Sequence, residues 1–201
     1  EWFADGTLNV AVNCVDRHVD AGLGDKVAYH WEGEPGDTRS LTFAELQREV
    51  SKAANALIEL GVEKGDRVVV YLPVLLETVI ITLAIARIGA IHSLVFGGFS
   101  AEALRFRVAD TRAKVLVTTD GQFRRGKAVP VKANADAAVE GLDHVEHVLV
   151  YRRTGSDIAW TEGRDVWWHD VVDSQSDSHT PEAFPAETPL FIIYTSGTTG
   201  K

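Results

Sequence analysis

Seven consecutive residues carry the densest chemical signal in the sequence: Thr195, Ser196, Gly197, Thr198, Thr199, Gly200 and Lys201, placed directly after the apolar run Leu190-Phe191-Ile192-Ile193-Tyr194. Gly197 and Gly200 let the backbone aim N–H groups at one point, the hydroxyls add donors, and Lys201 adds a positive charge. Such a set suits a chain of phosphates. A Ser/Thr/Gly surface turn has the same composition, so the loop alone leaves that reading open. A Walker A loop is excluded by spacing, because G-x-x-x-x-G-K needs glycine five residues before Gly200 and Thr195 stands there.

Two further groups could meet an anion. Phe96, Gly97, Gly98, Phe99 and Ser100 place two glycines after a predicted strand and a serine at a helix N-cap, where backbone N–H groups and the positive end of a helix converge. A tight strand-to-helix turn uses the same residues, and the absence of G-x-G-x-x-G removes any case for a dinucleotide site. Arg124, Arg125, Gly126 and Lys127, with Lys132 close behind, form the densest positive cluster and follow a predicted strand, at the sheet end where α/β folds bind ligands. A solvated charged loop is the alternative. Arginine grips phosphate at two points, which puts Arg124 and Arg125 ahead of the lysines.

Other chemistries find little support. The seven histidines form no H-x-x-x-H pair, so no protein-ligated metal site is expected. Cys14 is the only cysteine, which rules out an internal disulfide and suits a reducing compartment, the cytoplasm. Its neighbours Val10, Ala11 and Val15 give it a helical spacing that predicts a core position. Trp167 and Trp168 read as packing residues.

The elements that must position these groups come from periodicity. The chain has 201 residues, 45% hydrophobic and 24% charged, enough for one sizeable core, and its net charge of −9 gives no basic surface for nucleic acid or anionic membrane. The apolar stretch over 74–96 is interrupted by Glu77, Arg87 and His92, and reads as a buried helix followed by a strand. Residues 1–40 read as an irregular segment with one strand over 26–31. Residues 41–151 read as a layered α/β core. It opens with a helix that has a capping box at Thr42-Phe43-Ala44-Glu45 and the apolar stripe Leu46, Val50, Ala53, Ala54, Leu57, Ile58 up to Gly61.

Strands over 68–72, 91–96 and 114–118 then alternate with helices over 75–88 and 100–111, and a weaker cycle follows with a helix near 132–140 and a strand near 147–151. This βαβ series predicts a parallel sheet flanked by helices. Residues 152–201 read as loop-rich, with a buried strand over 190–194 leading into the phosphate loop. The sequence contains no Met and opens at Glu1, which predicts a piece of a longer protein.

The segment from Leu190 to Lys201 resembles the phosphate loop of AMP-forming adenylate ligases, the acyl-CoA synthetase superfamily, where the pattern runs on into Pro-Lys-Gly. Within that superfamily the chain is similar to the acetate–CoA ligases. The resemblance rests on Trp2-Phe3-Ala4-Asp5-Gly6-Thr7-Leu8-Asn9, Asp16-Arg17-His18, Trp31-Glu32-Gly33, residues 86–93, Phe96-Gly97-Gly98-Phe99-Ser100 and residues 162–168, in order and over essentially the whole chain. It implies part of the large N-terminal domain of an enzyme that converts acetate and ATP, with Mg2+, to an acetyl-adenylate and pyrophosphate, then passes the acetyl group to CoA.

By the same resemblance, Thr195 to Lys201 cover the ATP phosphates, and Arg124, Arg125, Gly126, Lys127, Phe96, Gly97 and Gly98 bind CoA near its nucleotide end. Arginine often stands in the family where this chain has Lys127, which keeps charge but loses two-point geometry. Catalytic, metal-side and hinge residues would lie beyond Lys201, so the chain alone is expected to be inactive. A propionate or other short-chain acyl-CoA synthetase, and a non-catalytic nucleotide- or CoA-binding module, remain alternatives. Oligomeric state and regulation are not legible.

Overall fold

The computed structural model describes residues 3–195. Its elements in chain order are β1 (Thr7–Leu8), β2 (Val27–Glu32), β3 (Thr38–Thr42), α1 (Phe43–Glu59), β4 (Arg67–Leu72), α2 (Leu76–Arg87), β5 (Ile91–Phe96), α3 (Ala101–Thr111), β6 (Val115–Thr119), β7 (Gly121–Arg124), β8 (Lys127–Pro130), α4 (Lys132–Val139), β9 (His147–Tyr151), β10 (Asp165–Trp167), α5 (Trp168–Val171) and β11 (Phe184–Pro185). Two π-helical turns, Val12–Asp16 and Val19–Leu23, precede β2.

A five-stranded parallel sheet in the order β10-β9-β6-β4-β5 forms the centre. Alternation along the strands sorts the core into two layers. Val68, Val70 and Leu72 of β4, Val115 and Val117 of β6 and Leu149 of β9 pack with the buried faces of α1 and α2. Val69, Tyr71, Leu116, Val148 and Val150 point the other way and pack with Leu104 and Val108 of α3 and Ala135 and Ala138 of α4. Burial on both faces explains why these strands read as continuous Val/Leu runs.

Helix α1 begins as its sequence dictates: Glu45 N–H donates to Thr42 Oγ1 at 3.2 Å, and Thr42 N–H donates to Glu45 Oε2 at 2.8 Å. Leu46, Val50, Ala53, Ala54 and Leu57 are buried, whereas Ile58 is 49% exposed because it lies one residue, about 100°, off the stripe. Deleting the buried Leu57 side chain would cost about 2–5 kcal/mol.

Three sequence expectations differ from the structure. Cys14 is exposed, not in the core. The turn Val12–Asp16 is π-helical, with Arg17 N–H bonded to Val12 O, and this wider turn keeps Val15 buried while rotating Cys14 outward. Residues 152–188 contribute β10, whose Asp165, Val166 and Trp167 extend the sheet beside β9, although three residues are too few for periodicity to reveal. The segment 190–194 is not a buried strand. It makes one parallel bridge to β5, His92 to Phe191, and leaves Phe191 53% and Ile193 73% exposed, since no other described strand lies on its outer side.

Buried ion pairs tie the outer segments to the sheet. Arg87, at the end of α2, meets Asp16 through Nη1 to Oδ2 at 2.8 Å and Nη2 to Oδ1 at 2.9 Å. Lys132, 1% exposed, donates to Asp165 Oδ2 at 2.7 Å and Asp136 Oδ1 at 2.7 Å. Lys132 therefore belongs to the packing between α4 and β10 and does not add to the positive cluster of residues 124–127.

Candidate functional site

The chain leaves β4 through α2 toward β5 on one side, and leaves β6 toward β9 on the other. The carboxyl ends of β4 and β6 therefore flank a topological switch point, the place where open α/β sheets bind ligands. A cleft of about 300 Å³ opens there, lined by residues that include Trp31, Glu34, Pro73, Phe96, Arg124 and Arg153.

Four residues singled out in the sequence, Phe96, Gly97, Gly98 and Arg124, are brought together in this region. Gly97 N–H donates to Leu72 O at 3.2 Å and its carbonyl accepts from Gln122 Nε2 at 3.0 Å. A Cβ on Gly97 would sit 2.9 Å from Pro73 N, and one on Gly98 would sit 2.6 Å from Phe96 Cε1 and 3.1 Å from Arg124 Nη1. At Gly97 the crowding atoms are backbone, so only glycine admits so close an approach of the two loops, whereas at Gly98 they are side-chain atoms.

Arg124, Arg125, Gly126 and Lys127 form the tip of the β7–β8 hairpin, in which Arg124 pairs with Lys127 across the strands. Arg125 and Gly126 both have left-handed backbones, with φ of 53° and 72°. This is a type I′ turn, which Asn-Gly would fill without strain, whereas arginine in the left-handed region costs about 1–2 kcal/mol. Like charges on directly opposed strand residues add a further cost. Arg124, Arg125 and Lys127 are all exposed, so the hairpin carries three cations outward at the rim of the cleft. Gly126 N–H donates to Glu34 Oε1 at 2.7 Å, so a carboxylate already accepts from the turn.

The wall opposite this hairpin comes from residues that sequence reasoning passed over. Arg153 pairs with Asp37 at 2.7 and 2.9 Å and lies over the rings of Trp31 at 5.0 Å and Phe123 at 4.9 Å. Arg39 Nη1 donates to buried Glu77 at 2.6 Å and to the Tyr151 hydroxyl at 3.4 Å, a second tether of the β2–β3 hairpin. Burial and then the Glu77 carboxylate push the Tyr151 hydroxyl up to about 12. The available signal was position: Arg152 and Arg153 follow a strand end just as Arg124 does.

Asp120 fixes the loops around the cleft. Fully buried after β6, its carboxylate accepts from the N–H groups of Gly121 at 2.7 Å, Arg153 at 2.7 Å, Thr154 at 3.1 Å, Gly155 at 2.7 Å and Ser156 at 3.1 Å. Burial alone would raise its pKa, but these donors outweigh it and hold the carboxyl below the ordinary aspartate value.

Of the residues expected to form a phosphate loop, Thr195 is described, and Ser196, Gly197, Thr198, Thr199, Gly200 and Lys201 lie outside the described residues. The segment leading to Thr195 runs parallel to β5, with His92 N–H bonded to Leu190 O at 3.3 Å and Ile192 N–H bonded to His92 O at 2.9 Å. Its direction takes the chain toward the same end of the sheet as the cleft. Among the described residues no three His, Cys, Asp or Glu side chains group closely enough to hold a metal, and no helix is long and apolar enough to cross a membrane.

The profile of the AMP-binding enzyme family matches residues 15–201. Among curated proteins, the chain is 66% identical over 201 residues to acetyl-coenzyme A synthetase of Streptomyces avermitilis and 65% identical over 201 residues to that of Streptomyces coelicolor. It is 48% identical over 204 residues to acetyl-coenzyme A synthetase of Salmonella typhimurium. Each match takes in 100% of this chain and 31% of the relative, so the chain spans about a third of the length of these proteins. A family profile that covers all but the first turns of the chain, on the parallel α/β sheet described above, leads to one assignment: the chain belongs to the AMP-binding enzyme family.

Proposed function

We propose that the chain is part of an AMP-forming acetate–CoA ligase and supplies the root of its ATP phosphate loop and the rim of its CoA nucleotide site. The observation that carries this reading is identity of 63–66% to acetyl-coenzyme A synthetases of several actinobacterial sources over the full chain. In the first step an acetate oxygen attacks the α-phosphorus of ATP, the new P–O bond forms as the bridge to the β-phosphate breaks, and pyrophosphate leaves. In the second the CoA thiol loses its proton and attacks the acetyl carbon, and AMP leaves.

Both steps depend on charge stabilisation and alignment, and the residues at hand are of that kind. Thr195 to Lys201 would hold the departing phosphates. Arg124, Arg125 and Lys127 would pair with CoA phosphates at the hairpin tip, while Phe96, Gly97 and Gly98 would lie against its nucleotide end. The narrow gap beside Gly98 supports this, because a side chain there would displace Phe96 or Arg124. Mg2+ would arrive with ATP, held mainly by its phosphates, and among the described residues no three His, Cys, Asp or Glu side chains group to hold it. The cytoplasm is the compartment that suits a single unpaired cysteine.

The test is acetate-dependent exchange of labelled pyrophosphate into ATP by the full-length protein, followed by acyl-CoA formation. Exchange with acetate favoured over propionate is expected. A higher kcat/KM for propionate would move the assignment to another short-chain ligase, and nucleotide binding without exchange for any acid would leave a binding module.

A further inference from the structure

Arg107 on α3 stands between the two parts of this site. Its guanidinium carbon lies 4.9 Å from the Phe99 ring and 5.0 Å from the Tyr194 ring, and Nη1 donates to Ala103 O at 2.7 Å, which steadies it against its own helix. Phe99 closes the Phe96-Gly97-Gly98 turn, and its carbonyl accepts from the Tyr71 hydroxyl at 2.7 Å. Tyr194 directly precedes Thr195.

Tyr194 has further anchors on the same helix. Its hydroxyl donates to Asp110 Oδ2 at 2.5 Å, and its ring meets Phe106 edge-on at 5.9 Å. Burial and then the neighbouring Asp110 carboxylate keep this hydroxyl protonated well above the usual tyrosine range, so it remains a donor at neutral pH. Tyr194 is thus held to α3 at the position directly before Thr195.

We infer that Arg107 is a positioning residue shared by both parts of the site, seating Tyr194 at the root of the ATP phosphate loop while bracing the Phe99 turn beside the CoA cleft. The inference rests on the proposed function. A cation held between two aromatic rings acts on both, so loss of the charge disturbs both steps, whereas loss of the Tyr194 hydroxyl disturbs one.

The experiment uses the full-length ligase in three variants, with acetyl-adenylate formation and the KM for CoA measured separately. Arg107→Met, which keeps the aliphatic stem, is expected to slow adenylate formation and raise the KM for CoA, each by roughly 3- to 20-fold. Tyr194→Phe, which keeps the ring, is expected to slow adenylate formation alone. In a Tyr194→Ala background, Arg107→Met should slow adenylate formation no further yet still raise the KM for CoA. Independent multiplication of the two adenylation effects, or an Arg107→Met enzyme altered in only one step, overturns the inference. Where Arg107→Met does not fold, Arg107→Gln, which also removes the charge, serves in its place with the same split between the steps. A wild-type protein without acetate-dependent exchange overturns the functional reading together with the inference, while an active wild type with unaffected variants sinks the inference alone.

Discussion

Arg153 and Asp37 meet through two hydrogen bonds, Nη1 to Oδ2 at 2.7 Å and Nη2 to Oδ1 at 2.9 Å, and so join the end of β9 to the tip of the β2–β3 hairpin. The contact holds the guanidinium over the rings of Trp31 and Phe123, where it becomes one wall of the cleft. Asp37→Asn in the full-length protein should loosen that wall. Because the carboxylate is exposed, the effect is modest, about a 2- to 5-fold rise in the KM for CoA, with pyrophosphate exchange unchanged in steady-state assays.

Asp120 gathers the loops on which the cleft depends, and its removal leaves the buried Gly121 N–H and several part-buried N–H groups without this acceptor. Asp120→Ala should therefore destabilise the protein by about 3 kcal/mol or more. Urea unfolding checks this. A midpoint within error of the wild type would mean that water replaces the carboxylate and that the buried cluster contributes little.

Acid should weaken the fold in two stages. Burial pushes the His92 pKa down, so its ring is neutral in the folded protein. Its contribution is complete above the unfolded value of about 6.5 and declines as pH falls below it. Asp120 and Asp165 are held below the ordinary carboxylate value by donors that outweigh burial, so their contributions persist down to about 4 and are lost only as pH drops through the folded values. His92→Leu should shrink the upper stage, read as the urea midpoint between pH 7.5 and 5, without abolishing it, because burial also pushes the His179 pKa down, and should leave the lower stage in place.

The hairpin tip offers a test of strain. Arg125 occupies a left-handed position that asparagine accepts more readily, so Arg125→Asn should stabilise the hairpin by a few tenths to about 1 kcal/mol while weakening CoA binding. Thermal melting and the KM for CoA are the two readouts. A variant that binds CoA as well as wild type would place the strain outside the site.

The central sheet was legible because its strands are buried on both faces and its helices carry caps or small-residue faces, so local pattern and tertiary environment agree. Phe96 to Gly98 and Arg124 were legible as strand-end residues, and topology then brought Phe96 and Arg124 to one cleft, with Gly97 and Gly98 beside it. Cys14 was misplaced because a π-turn shifts the phase that a 3.6-residue period assumes. Asp37 and Asp120 carried no local signal, and Arg153 only its place after a strand end, since their roles arise from contacts between residues distant in sequence, such as Thr154 N–H to Asp120. Segment 190–194 has the composition of a buried strand, but burial depends on what lies beside it.

Single-turnover measurement of the two proposed half-reactions tests the central claim most directly, with two variants of the full-length protein compared side by side. Lys201→Ala combined with Thr198→Ala should slow acetyl-adenylate formation and leave thioester formation from pre-formed adenylate nearly intact, because pyrophosphate has departed before the second step. Arg124→Glu should do the reverse, weakening CoA use by about 1.5–3 kcal/mol, the worth of one charge-assisted phosphate contact, with adenylation preserved. Equal slowing of both half-reactions by either variant would contradict the division of the site into an ATP phosphate loop and a CoA-binding hairpin.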